Sequence, residues 1–148
     1  LQDRPDLANT KKADLFISIH VNANTESSVR GLETYYLDSA QTQDAAVVAA
    51  RENAVSVKNI SDLQVILTDL MLSSKLTESR HLARCVHKGI LKRLRASKMG
   101  VRDNGVRSAP FYLRIGSRLS AILVECGSIT NSSHAAILKQ EAYPPKLA

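Results

Sequence analysis

Two short charge-free runs most constrain what this chain can fold into: Leu15-Phe-Ile-Ser-Ile19, set between Asp14 and His20, and Ala121-Ile-Leu-Val124, which runs into Glu125. Both are short, apolar and rich in β-branched residues, the pattern of a strand buried inside a sheet. Each run stops at an ionisable side chain. Desolvating a charge is costly, so His20 and Glu125 both need partners. In open α/β sheets, ligands and catalytic groups collect at the carboxyl ends of strands. A histidine and a glutamate at neighbouring strand ends would suit a metal ligand and a general base. The plainer alternative is a hydrogen-bonded structural histidine and a glutamate paired with an arginine, and spacing by itself leaves both open.

The remaining segments fill in an α/β pattern. The first residues read as helix, and Glu33–Leu37 reads as a second strand after the Gly31 turn. Asp44 caps an Ala- and Val-rich helix expected to run to about Lys58. Ser61-x-x-Gln64 forms a capping box ahead of Leu63, Ile66, Leu67 and Leu70, which recur at helical spacing. Thr77 and Glu78 open a third helix, with Leu82, Val86, Ile90 and Leu94 as its apolar stripe to about Ala96. Gly100–Gly105 reads as a turn-rich link, Phe111–Arg114 as a strand, and Asn131–Gln140 as a closing helix capped by Asn131 or Ser132. Strands bracketing a helical middle predict an α/β domain with a mostly parallel, twisted sheet flanked by helices.

With 148 residues, 44% of them hydrophobic, the chain can bury one core but not two, and it is too apolar for a disordered segment. No apolar run is long enough to span a bilayer. Two cysteines make no disulfide framework. The net charge of +6 is concentrated between Lys75 and Arg118, a block with two acidic residues, Glu78 and Asp103. Such a face attracts nucleic acid, acidic lipid or an anionic polymer such as cell-wall glycan. Phe111 and Tyr112 are its only aromatics, which argues against a stacking platform for single-stranded nucleic acid.

The other metal-ligand candidates look poor. His81 and His87 do not share a helix face at i, i+4, His134 sits in the polar closing helix, and Cys85 and Cys126 have no C-x-x-C partner. All five read as structural or solvent-facing.

Leu7-Ala-Asn9 followed by Lys12-Ala-Asp-Leu-Phe-Ile-Ser-Ile-His20-Val-Asn-Ala23 resembles the zinc-dependent N-acetylmuramoyl-L-alanine amidases of bacterial cell-wall turnover. So do Gly105-Val-Arg-Ser-Ala-Pro-Phe-Tyr-Leu113 and Ala121-Ile-Leu-Val-Glu-Cys-Gly127, followed by Thr130-Asn131. Arg51-Glu-Asn-Ala54, Ile66-Leu-Thr-Asp-Leu70 and Ser79-Arg-His-Leu-Ala83 resemble the helical insertion of the cell-separation branch of that family. The resemblance covers essentially the whole chain in order.

It implies that His20 is the last of three protein zinc ligands and that Glu125 is the catalytic glutamate. Zinc would polarise the amide carbonyl, and Glu125 would move a proton from the attacking water to the leaving amine. The bond cut would join muramic acid to the L-alanine of a peptidoglycan stem peptide. A helical regulatory insertion over residues 42–76 would hold the enzyme inactive, with Glu52 blocking the zinc until an activator protein displaces it. Further implications are a periplasmic or extracytoplasmic location, no nucleic-acid partner and no membrane span.

The resemblance also marks departures. The family's first zinc histidine, in a glycine-rich turn, and its second ligand, a glutamate, would fall ahead of the Arg4-x-x-Leu7-Ala-Asn9 region. Residues 1–148 therefore read as a partial catalytic domain lacking an upstream strand and two ligands. Ser128 stands where a phenylalanine is usual, His134 where an acidic residue is common, and Leu119-Ser120 in place of Pro-Ala. The alternative reading is a catalytically inactive module that binds cell wall or an activator.

Overall fold

The computed structural model describes residues 3–38, 43–52, 74–110, 119–141 and 143–144. Its elements are α1 (Asp3–Thr10), β1 (Leu15–Asn22), β2 (Leu32–Leu37), α2 (Gln43–Glu52), α3 (Ser74–Ala96), β3 (Asp103–Ala109), β4 (Ser120–Ser128) and α4 (Ser132–Leu138). The four strands form one sheet in the order β1-β4-β2-β3. β1 and β4 run parallel, β2 and β3 run parallel, and β2 lies antiparallel to β4 in the middle. The sheet is thus mixed, with two parallel pairings and one antiparallel.

Alternation along the strands divides the core between two faces. Leu32 and Tyr36 of β2 and Ile122, Val124 and Cys126 of β4 pack with Ala83, Ile90, Leu91 and Leu94 of α3. The residues between them, Tyr35 and Leu123, pack on the other face with Ala45, Val48, Ala49 and Ala50 of α2. Leu82 and Val86, half of the expected α3 stripe, are only partly buried against this core. The basic side chains Arg80, Arg84, Lys88 and Lys92 recur at i+4 along the exposed face of α3.

A polar bridge, buried at Thr34 and His87 and exposed at Asp103, ties α3 to the sheet. Thr34 Oγ1 and His87 Nδ1 lie 3.0 Å apart, His87 Nε2 is 2.9 Å from Asp103 Oδ1, and the same oxygen accepts from the Gly105 N–H. His87 is 4% exposed. Its hydrogen bond to Asp103 is the main reason that carboxyl is held below the usual range.

Gly31, at the entry to β2, has φ +123, and a Cβ there would lie 2.6 Å from the Arg102 carbonyl oxygen. Glycine is required on both counts. β1 is an edge strand whose outward row, Leu15, Ile17, Ile19 and Val21, is 44–69% exposed.

Three sequence expectations shift. The Gly100–Gly105 link already contains the start of β3, because Asp103 pairs with Leu32. α3 begins at Ser74, ahead of Thr77. β1 and β4 run past His20 and Glu125 to Asn22 and Ser128, so these residues lie near the strand ends and not at them. The expected strand at 111–114, the continuation of the second helix past residue 52 and the capping box at 61–64 lie outside the described residues.

Candidate active site

The strand order brings one row of ionisable side chains together. His20 of β1 pairs in register with Glu125 of β4, and Glu125 pairs across its other edge with Glu33 of β2. Register partners point to the same face of a sheet. This is the face that α2 covers, because Tyr35 and Leu123 share it. Glu125 is 3% exposed and Glu33 9%, so the row contains two deeply desolvated carboxylates.

The surroundings answer that cost in part. Tyr35 donates its hydroxyl to Glu33 Oε2 at 2.7 Å, and Arg107 Nη2 lies 3.6 Å from Glu33 Oε1. Burial, then the Glu33 charge, raises the Tyr35 pKa far above its ordinary value, so the phenol remains a donor. Cys126, beside Glu125, has its thiol pushed up to about 12 by burial and by the glutamate's charge. It stays protonated, which removes it as a nucleophile near neutral pH.

His20 Nε2 lies 2.7 Å from Ser18 Oγ, two residues back on the same strand face. The histidine also lines a cavity of about 440 Å³ at the open edge of β1, shared with Leu7, Lys11, Phe16 and Ser18. Farther along β1, Asn22 Oδ1 accepts from Arg51 Nη1 at 2.8 Å. That contact fixes the last turn of α2 beside the carboxyl end of β1. Glu52 is the final residue of this helix.

A model of the N-acetylmuramoyl-L-alanine amidase family matches residues 1–148. The chain belongs to this family. It is 34% identical over 148 residues to the N-acetylmuramoyl-L-alanine amidase LytC of Bacillus subtilis (strain 168), covering all of this chain and 22% of that protein. The amidase AmiA of Escherichia coli (strain K12) is 28% identical over 157 residues, with 100% of this chain and 53% of AmiA covered. Among solved structures, the N-acetylmuramoyl-L-alanine amidase of Clostridium difficile 630 superposes with a TM-score of 0.65 at 27% identity, covering 98% of this chain and 57% of that one. The chain thus spans about half of AmiA and less of LytC.

Within this amidase chain, the sequence-derived pair His20 and Glu125 does come together. Glu33, Tyr35 and Arg107 were not singled out from sequence. The alternation in Glu33-Thr-Tyr35 could have placed two of them on one face, but only the strand order sets that face beside Glu125. The histidines and cysteines read as structural or solvent-facing divide accordingly: His87, His134 and Cys126 are buried, while His81 and Cys85 are exposed.

An imidazole at an open strand edge is a chemistry zinc accepts, but a catalytic site takes three protein ligands. Among the described residues no group of three or more His, Cys, Asp or Glu side chains could hold a metal ion. These residues therefore do not form a complete zinc site.

Proposed function

We propose that the protein carrying this chain hydrolyses the amide bond between N-acetylmuramic acid and the L-alanine of peptidoglycan stem peptides. The observation that carries this reading is the register pairing of His20 with Glu125 in a chain of the amidase family. His20 would be one zinc ligand, as the resemblance implies. Bound zinc would polarise the scissile carbonyl. Glu125, fixed on a central strand, would take a proton from the attacking water and deliver it to the leaving amine.

Regulation belongs to the same proposal. The Arg51–Asn22 hydrogen bond supports a role for the end of α2 in covering the site, with Glu52 as the blocking carboxylate and residues 42–76 as the helical insertion. An activator protein would lift it, in cell separation at an extracytoplasmic location. No helix among the described residues is long and apolar enough to cross a membrane.

The test is elemental analysis with a peptidoglycan assay on the protein carrying this chain and on its His20→Ala variant. About one zinc per molecule, and new amino-terminal alanine released from the wall, are expected of the parent. Both should be lost in the variant. A parent that holds no zinc and cuts nothing would leave the inactive cell-wall-binding or activator-binding module.

A further inference from the structure

His134, in the first turn of α4, is 3% exposed and takes no part in the row of His20, Glu125 and Glu33. Its Nδ1 accepts from two backbone N–H groups, those of Gly31 and Ser128, each at 3.3 Å. One ring nitrogen therefore joins three places in the fold: α4, the entry to β2 and the end of β4. A nitrogen that accepts carries no proton, so the ring is neutral with its proton on Nε2. That Nε2 is buried with no hydrogen-bond partner among the described residues.

A second proton on this ring breaks the arrangement. Nδ1 turns from acceptor to donor, faces two N–H groups, and loses both hydrogen bonds at once. The ring cannot retreat toward the sheet. It packs directly on the backbone of Gly127, where a Cβ would come within 2.8 Å of the His134 Cε1. The backbone N–H of His134 is bound at 2.9 Å to Asn131 Oδ1, the cap of α4, so the ring moves only if the helix start moves. Nothing nearby offsets the charge. Arg30 and Arg102, at the entries to β2 and β3, line the space beside the ring with Val101, Ser133 and Ile137, and among the described residues no carboxylate does. β4 contributes Gly127 and Ser128, which are uncharged. Burial first, then the Arg30 charge, holds the ring below its ordinary pKa.

We propose that His134 is an acid-sensitive latch: neutral, it clamps the entry to β2 and the start of α4 against the end of β4, and protonated, it lets them part. The released end of β4 borders the row of His20 and Glu125, because the Ile129 N–H bonds the carbonyl oxygen of Asn22 at the end of β1. The latch works whether or not the chain cuts amides. In the open form the ring titrates near its ordinary value of about 6.5, and in the closed form below it. Opening therefore takes up a proton. Between those two values its equilibrium constant rises by up to about tenfold for each unit of falling pH.

The test is amide hydrogen exchange, read by nuclear magnetic resonance on the protein carrying this chain between pH 8 and pH 5, with protection corrected for the intrinsic pH dependence of exchange. Protection at Gly31 and Ser128 should fall by about tenfold or more as the His134 ring titrates, and Ile122 and Leu123 in the middle of β4 should stay the better protected. His134→Asn offers an uncharged acceptor close to the place of Nδ1, so it should hold both amides without that fall. If this variant does not fold, the parent decides alone, through the titration midpoint of the ring's carbon-bound protons. Constant protection at Gly31 and Ser128, a fall at a pH where the ring does not titrate, one common exchange rate for all four amides, or the same fall in His134→Asn would overturn the latch.

Discussion

His20 and Glu125 are direct register partners across the parallel pairing of β1 with β4, although 104 residues separate them in sequence. Two consequences follow from that adjacency. The sheet fixes the two backbone positions, and a group bound at His20 would lie beside a carboxylate that is 3% exposed. Glu33 completes the row and is itself held by Tyr35 and Arg107.

His87 fastens α3 to β2 and β3 through Thr34 and Asp103, and the Thr34 hydroxyl it meets is fully buried. Replacing His87 by Ala removes packing and strands that hydroxyl. A loss of about 2–4 kcal/mol is expected in urea unfolding, larger than a surface substitution gives. A loss under about 0.5 kcal/mol would show that the bridge carries no stability.

Gly31→Ala should destabilise by about 2–3 kcal/mol, because it combines a left-handed backbone with a Cβ 2.6 Å from a carbonyl oxygen. Gly89, which has nothing within 4 Å of a built Cβ, is the matched control. It sits inside α3, where Ala is the better helix former, so Gly89→Ala should be neutral or stabilising. Thermal unfolding of the two variants measures the contrast.

The neutral His134 predicts a pH dependence. Its folded pKa lies below the ordinary value, so below about pH 6.5 the unfolded chain binds more protons than the folded one. Its contribution to stability is therefore present above that pH and is lost as pH falls toward the folded pKa. Arg30, the charge that adds to the burial effect, stays cationic throughout and does not alter the sign. Thermal midpoints measured between pH 8 and pH 5 should fall more steeply for the parent than for His134→Gln. Equal slopes would place the histidine's charge change elsewhere.

If the end of α2 covers the site, Glu52→Ala should raise unstimulated amide hydrolysis several-fold without changing the rate reached with an activator. Arg51→Ala, which frees that turn from Asn22, should act in the same direction. Unchanged basal rates in both variants would remove the regulatory role from this helix.

Much of this architecture was legible from the chain. The apolar runs ending at His20 and Glu125 identified two strands and the two residues that the sheet sets side by side. Helical spacing located α3, although its buried seam runs through Ala83 and His87 as well as Ile90 and Leu94. β3 was hidden because Asp103-Asn-Gly105 carries turn residues, and its pairing with β2 overrides that local preference. Glu33 was overlooked for another reason. A glutamate opening a strand looks solvent-facing until the antiparallel β2–β4 pairing buries it beside Glu125. Likewise, the polar sequence around His134 gave no sign that the ring is enclosed by Gly31, Gly127 and Ser128.

The most direct test of the central claim is the rate of amide cleavage in peptidoglycan by the protein carrying this chain, parent against Glu125→Gln, with zinc content recorded for both. The amide is nearly isosteric with the carboxylate but cannot accept and return the proton. The account predicts unchanged zinc and a rate lower by about 10²–10⁴-fold. A variant that cleaves at close to the parent rate would contradict it.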